Sequence, residues 1–173
     1  LNAPSSDEII FTKNATEGLN LIASSFGRHL DIGEGDEIVL SIMEHHSNIV
    51  PWNYWREAKG AVIRWAPVDE DGNFLLDAFE ALLTDRTKVV SITQMSNALG
   101  TIVPVKDVVR IAHARGIPVV VDGSQAAVHL DVLDHDVEPP LILQFQGLLG
   151  AGHADGIDIA LLQALDERLQ KIH

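Results

Sequence analysis

The sequence predicts an α/β fold, a mostly parallel sheet with helices on both faces. Short apolar runs of strand length alternate with longer segments of helical period along most of the chain. Gly, Pro and Asp punctuate the joints, as in Asp31-Ile32-Gly33-Glu34-Gly35-Asp36. The later runs, Lys88-Val89-Val90-Ser91-Ile92 and Ile117-Pro118-Val119-Val120-Val121, hold few polar residues, as strands covered on both faces require. Repeated β-α-β units of this kind close into a parallel sheet.

Glu8 to Thr12 reads as a buried strand. Thr16 to Leu30 follows as a helix, with Leu19, Ile22, Ala23 and Phe26 on one face and Thr16 suited to capping its start. Glu37 to Leu40 is the next strand, and Asn48 to Ala58 a helix that Gly60 ends before the strand Ala61 to Trp65. A polar turn, Asp69 to Asn73, precedes a short amphipathic helix from Leu76 to Leu83. The strand at Lys88 leads to a helix from Val105 to Ala114, opened by Pro104 and closed by Gly116 before the strand at Ile117. Beyond His129 the order weakens. Residues 138–156 read as an irregular or discontinuous segment, rich in Gly and Ala from Gly147 to Gly156. Ile157 to Ile172 regains a helical period through Leu161, Leu162, Leu165 and Leu169. With no strand just before it, the 157–173 helix is expected to belong to a different structural unit from residues 1–137.

Composition narrows the function. The 173 residues carry a net charge of -13, from 25 acidic and 12 basic residues. That balance argues against nucleic acid and anionic membrane surfaces, both of which need a cationic face. A phosphate ligand stays open, because helix N-termini bind anions without net positive charge. No apolar run is long enough to span a bilayer, and the chain opens without a basic-then-apolar leader, so the expected compartment is the cytoplasm. There are no cysteines, hence no disulfide, thiolate metal site or cysteine nucleophile within these residues.

In open α/β sheets ligands collect at the carboxyl ends of the strands. Four such ends carry polar residues: Asn14-Ala15-Thr16-Glu17-Gly18, Glu44-His45-His46-Ser47-Asn48, Ser96-Asn97-Ala98-Leu99-Gly100 and Asp122-Gly123-Ser124-Gln125-Ala126. Asp122 is the most telling, since a carboxylate ending a buried strand is costly unless a cation or strong donors meet it. Its bland alternative is an N-cap for a helix near Ser124. Asn97 could merely shape a turn. His45 and His46 are adjacent and point apart, so they do not readily share a metal. His129, Asp131, His135 and Asp136 read as a solvated acidic loop rather than a metal site, and no metal is expected.

Together these motifs resemble the cysteine desulfurases, in order and in spacing from Asp7 to His129. The run Glu44-His45-His46-Ser47-Asn48-Ile49-Val50-Pro51-Trp52 is similar to the sulfur-mobilisation branch shared with selenocysteine lyases, within the class V, fold-type-I pyridoxal-phosphate (PLP) enzymes. The resemblance implies that residues 1–137 are a partial cofactor-binding large domain and that the final helix comes from the small domain. It implies PLP as cofactor, with His45 stacked on the pyridine ring and Asp122 paired to the protonated ring nitrogen. Gln125 would donate to the phenolic oxygen, Asn97 would lie near that oxygen and the substrate carboxylate, and Ala15 and Thr16 would hold the phosphate. L-cysteine or L-selenocysteine would be the substrate, in a homodimer that passes sulfur to an acceptor protein for uses such as iron-sulfur cluster assembly.

Three family residues have no counterpart. The lysine of a Gly-His-Lys segment is not matched by Lys13, Lys59, Lys88, Lys106 or Lys171, and Gly152-His153 is followed by Ala154. The sulfur-accepting cysteine is missing too, and no arginine matches the one that holds the substrate carboxylate. The expectation is therefore an incomplete chain with no assignable covalent catalyst. The alternatives are a degenerate, non-catalytic binding relative, or another class V aminotransferase, which the His-His-Ser-Asn run disfavours.

Overall fold

The computed structural model describes residues 9–127 and two short strands, 141–143 and 158–161. Strand β1 (Ile9–Thr12) leads into helix α1 (Ala15–His29). Strand β2 (Glu37–Ser41), helix α2 (His46–Lys59), strand β3 (Val62–Ala66) and helix α3 (Leu76–Leu82) follow. Next come strand β4 (Thr87–Thr93), helix α4 (Val105–His113) and strand β5 (Val119–Asp122). Strands β6 (Leu141–Leu143) and β7 (Asp158–Leu161) complete the order. Five strands form the main sheet in the order β3-β2-β4-β5-β6, each parallel to its neighbours. The expected fold class is the one observed.

Side-chain alternation along the central strands assigns the two faces. Ile38, Leu40, Val89 and Val120 join Leu19, Ile22, Ala23 and Phe26 of α1 and Trp52 and Trp55 of α2 in one core cluster. Their sequence neighbours Val39, Val90, Ile92, Val119 and Val121 join Phe79 of α3 and Val108, Val109 and Ala112 of α4 in the other. Handedness explains the split. From β2 the chain crosses to β3 in one direction, whereas from β4 it crosses to β5 in the other. Right-handed crossovers of opposite direction put their helices on opposite faces. The reversal leaves a switch point between β2 and β4, the place at the carboxyl ends where open α/β sheets bind ligands.

Several local features follow from single residues. Gly60 ends α2 in the left-handed region at φ 76°, with its amide donating to the Arg56 carbonyl. At the amino edge, Glu37 is buried and accepts from Arg64, Thr84 and Thr87. Burial pushes its carboxyl up, but those donors outweigh it and hold the group below its ordinary value of 4.5. Stability from Glu37 is thus present above pH 4.5 and lost as pH falls below it. Glu37→Gln is expected to flatten the acid limb of a urea-unfolding profile, and an unchanged limb would count against this assignment.

Three expectations need correction. Strand β1 does not lie in the parallel sheet; it pairs antiparallel with β7, and Phe11 is 67% exposed. Residues 158–161 are a strand, not the first turn of a helix, because an open backbone edge at β1 offers a ladder that local helical period does not outweigh. The rest of that expected helix lies outside the described residues. The segment expected to be irregular contains β6, which extends the sheet beside β5 in parallel register. Three residues are too few for a periodic signal, so it could not be read in advance.

Candidate functional site

The switch point is organised around a residue not singled out from the sequence, Glu44. It leaves β2 three residues after Ser41 and is 8% exposed. Its Oε1 accepts from the Ser41 hydroxyl and from the Thr93 amide at 2.9 Å, and its Oε2 accepts from Asn48 Nδ2 at 2.8 Å. Thr93 ends β4, so one carboxyl group ties together both strands that flank the switch point. Behind it lies Asn48, fully buried, whose Oδ1 accepts from Ser91 Oγ at 2.6 Å and Trp52 Nε1 at 3.4 Å. The polar Ser91 inside an apolar strand was the available signal, because a buried hydroxyl in a central strand requires a partner.

Burial pushes the Glu44 carboxyl up to about 7; its three donors pull it back, and nearby Asp122 adds to the rise. Between about pH 4.5 and pH 7 the folded protein therefore holds a proton at Glu44 that the unfolded chain has released, and of its three partners only Ser41 Oγ can accept it. The associated stability is full below pH 4.5 and is lost as pH rises through about 7. Urea unfolding at about pH 5 and about pH 8 is expected to show that loss, and Glu44→Gln to reduce it.

His45 caps α2. Its Nδ1 accepts from the Ser47 amide at 3.2 Å and lies 3.0 Å from Ser47 Oγ. An amide can only donate, so Nδ1 is an acceptor and a neutral ring carries its proton on Nε2. The ring is exposed, set edge-on to His46 at 6.0 Å and 85°. Ser47 Oγ also meets Thr16 Oγ1 at 2.8 Å, linking the start of α1 to the start of α2. Ser47→Ala is expected to cost about 1 kcal/mol and to broaden the His45 ring orientation. Ring NMR resonances identical to the parent's would contradict that.

Thr16 does not cap α1. Asn14 does, its side chain accepting from the Glu17 amide at 2.9 Å while its carbonyl accepts from Gly18 at 3.1 Å. Asn reaches the third amide from the half-in position, whereas Thr16 already lies inside the helix. The amides of Ala15 and Thr16 are left without a protein acceptor among the described residues. Two donors at the positive end of a helix form an anion-binding feature.

Asp122 ends β5 at 4% exposure. Its Oδ1 accepts from the Ser124 amide at 3.0 Å and from the Ser124 hydroxyl, and Oδ2 has no donor among the described residues. Among the described residues, Gly123 to Ala127 form a turn closed by the Ala127 amide on the Gly123 carbonyl. Thr93 and Asp122 are ladder partners, and the Gln94 amide donates to the Asp122 carbonyl at 3.0 Å. Glu44, Thr93 and Asp122 thus form one connected group, and Thr16, Ser47 and His45 a second. The two meet at consecutive residues Glu44 and His45.

Asn97 and Gln125 are exposed at the same carboxyl edge, without a side-chain hydrogen bond among the described residues. Asn97 sits at the tip of a tight loop, where Ser96 Oγ accepts from the amides of Ala98 and Leu99. Lys88 lies at the opposite edge, 3.9 Å from Asp36. No group of three acidic or histidine side chains able to hold a metal occurs among the described residues, and no helix there is long and apolar enough to cross a membrane. The His129–Asp136 cluster and the Gly152-His153-Ala154 segment lie outside them.

Residues 1–137 match the family described as Aminotransferase class-V. The chain is 49% identical over 132 residues to a cysteine desulfurase of Synechococcus elongatus, covering 76% of this chain and 21% of that protein. It is 46% identical over 132 residues to a probable cysteine desulfurase of Halalkalibacterium halodurans, covering 76% and 32%. The solved structure of the cysteine desulfurase CsdA from Escherichia coli superposes with a TM-score of 0.71 at 35% identity, over 75% of this chain and 32% of that one. The chain thus spans between 21% and 32% of the length of these relatives. It belongs to the class-V aminotransferases, a family that uses pyridoxal phosphate.

Proposed function

We propose that the chain is the cofactor-binding part of a cysteine desulfurase, which removes sulfur from L-cysteine to leave alanine and an enzyme-bound persulfide. The observation that carries this reading is the open Asp122 oxygen at a switch point that also presents the His45 ring. A buried carboxylate with one unmet oxygen fits a cationic ring nitrogen, which would offset its desolvation. The unmet amides of Ala15 and Thr16 fit a phosphate. When bound, pyridoxal phosphate supplies an electron sink for cleavage at the substrate carbon. Asp122 would hold a proton on the ring nitrogen, and His45 would cover a ring face. The exposed amides of Gln125 and Asn97 are free to orient the phenolic oxygen and the substrate carboxylate. The chain's own lysines and its lack of cysteine leave the covalent steps to residues that are not in this sequence.

The same absence favours a second reading, a non-catalytic relative that binds the cofactor or a partner. Alanine and sulfide release from L-cysteine by the full chain separates the two, read beside intact mass. A mass above 18.8 kDa with alanine release supports the desulfurase. A mass of 18.8 kDa without turnover, and no visible band that borohydride reduces onto a lysine, supports the non-catalytic relative. Selenocysteine as substrate, a homodimer, a sulfur-acceptor protein and a cytoplasmic site of action belong to the first reading.

A further inference from the structure

We propose that Glu44 is a positioning residue whose buried carboxyl group fixes the His45 ring and the Asp122 carboxylate relative to each other; the proposal rests on the cofactor reading above. Three donors from three elements converge on it: the Ser41 hydroxyl at the end of β2, Asn48 Nδ2 in α2 and the Thr93 amide at the end of β4. Two of these cannot be inverted. The Thr93 amide only donates. Asn48 is held by Trp52 Nε1, which also only donates, so Asn48 Oδ1 must face Trp52 and Ser91 while Nδ2 faces Glu44. Glu44 must therefore accept with both oxygens.

The consequence for the site is geometric. On one side Glu44 is bonded in sequence to His45, whose Nδ1 is held by Ser47. On the other it grips Thr93, the ladder partner of Asp122. The three partners of Glu44, Ser41, Asn48 and Thr93, are buried, and the strand ladder behind Thr93 is continuous, so a shift at Glu44 passes to both groups. Nearby Asp122 opposes ionisation at Glu44. A cation held at Asp122 would relieve that opposition.

Glu44→Gln is the direct test, because glutamine has one acceptor and one donor end. Whichever way it turns, it sets a donor against either Asn48 Nδ2 or the Thr93 amide. In the full chain without cofactor, the variant is expected to shift the His45 ring nitrogen resonances. It is also expected to weaken pyridoxamine 5'-phosphate binding, measured by calorimetry, by about tenfold or more. Adding Asn48→Asp to Glu44→Gln restores a donor–acceptor match and is expected to return both readouts most of the way. Should Glu44→Gln fail to fold, Ser41→Ala removes one donor and is expected to move both readouts in the same direction by less. Lowered melting temperature with unchanged His45 resonances and unchanged affinity would overturn the proposal. If the parent chain does not bind pyridoxamine 5'-phosphate at all, the cofactor reading fails, and the His45 resonances alone decide the role of Glu44.

Discussion

Gly27→Ala is expected to destabilise the fold by about 3 kcal/mol or more, the upper range for overpacking a closed core. A Cβ at Gly27 would stand 2.0 Å from Trp55 Cε2 and 2.1 Å from Cζ2. No contact of that kind survives, so either the ring or the helix must move. The ring is 5% exposed, and its Nε1 donates to the Ala23 carbonyl at 2.9 Å, so it has nowhere to swing without losing that bond. The helix can retreat only by separating α1 from α2, whose starts carry the open Ala15 and Thr16 amides and His45. Cofactor affinity should therefore fall with stability. Urea unfolding checks the magnitude, and a loss under about 0.5 kcal/mol would show that the two helices are less closely packed than this.

Asp122→Ala is expected to weaken pyridoxamine 5'-phosphate binding between about tenfold and a hundredfold, the range for losing a hydrogen bond to a charged partner. The comparison with Asp122→Asn makes the cause visible. Asparagine keeps an oxygen to accept from the Ser124 amide, so the turn after β5 persists while the negative charge is gone. If the charge holds a ring nitrogen, asparagine should bind nearly as weakly as alanine. Binding equal to the parent's in Asp122→Asn would assign Asp122 to turn geometry alone.

Much of this architecture was legible before any coordinates. The parallel sheet showed in the mostly apolar runs at Val89 and Val119, because strands covered on both faces need no alternation. Asp122 stood out because a charge at the end of such a run demands an explanation. What escaped was set by distance in sequence. Asn14 rather than Thr16 caps α1, a difference of two positions that only the backbone decides. Glu44 was hidden because its partners, Ser41, Asn48 and Thr93, come from three elements and look like ordinary polar residues one at a time. The pairing of β1 with β7 spans nearly the whole chain, and nothing local in either segment encodes it. The chemistry divides in the same way. Family motifs mark where a cofactor would sit, and the hydrogen-bond directions say which atoms are open to receive it.

The central claim is that the carboxyl edge between β2, β4 and β5 binds a phosphorylated pyridine. Titration of the isotope-labelled full chain with pyridoxamine 5'-phosphate, followed by backbone amide NMR, tests it most directly. Saturable shifts are expected to concentrate at Ala15, Thr16, His45 and Asp122, with Glu37 and Lys88 at the opposite edge unmoved. Absence of saturation, or shifts centred on that opposite edge, would contradict it.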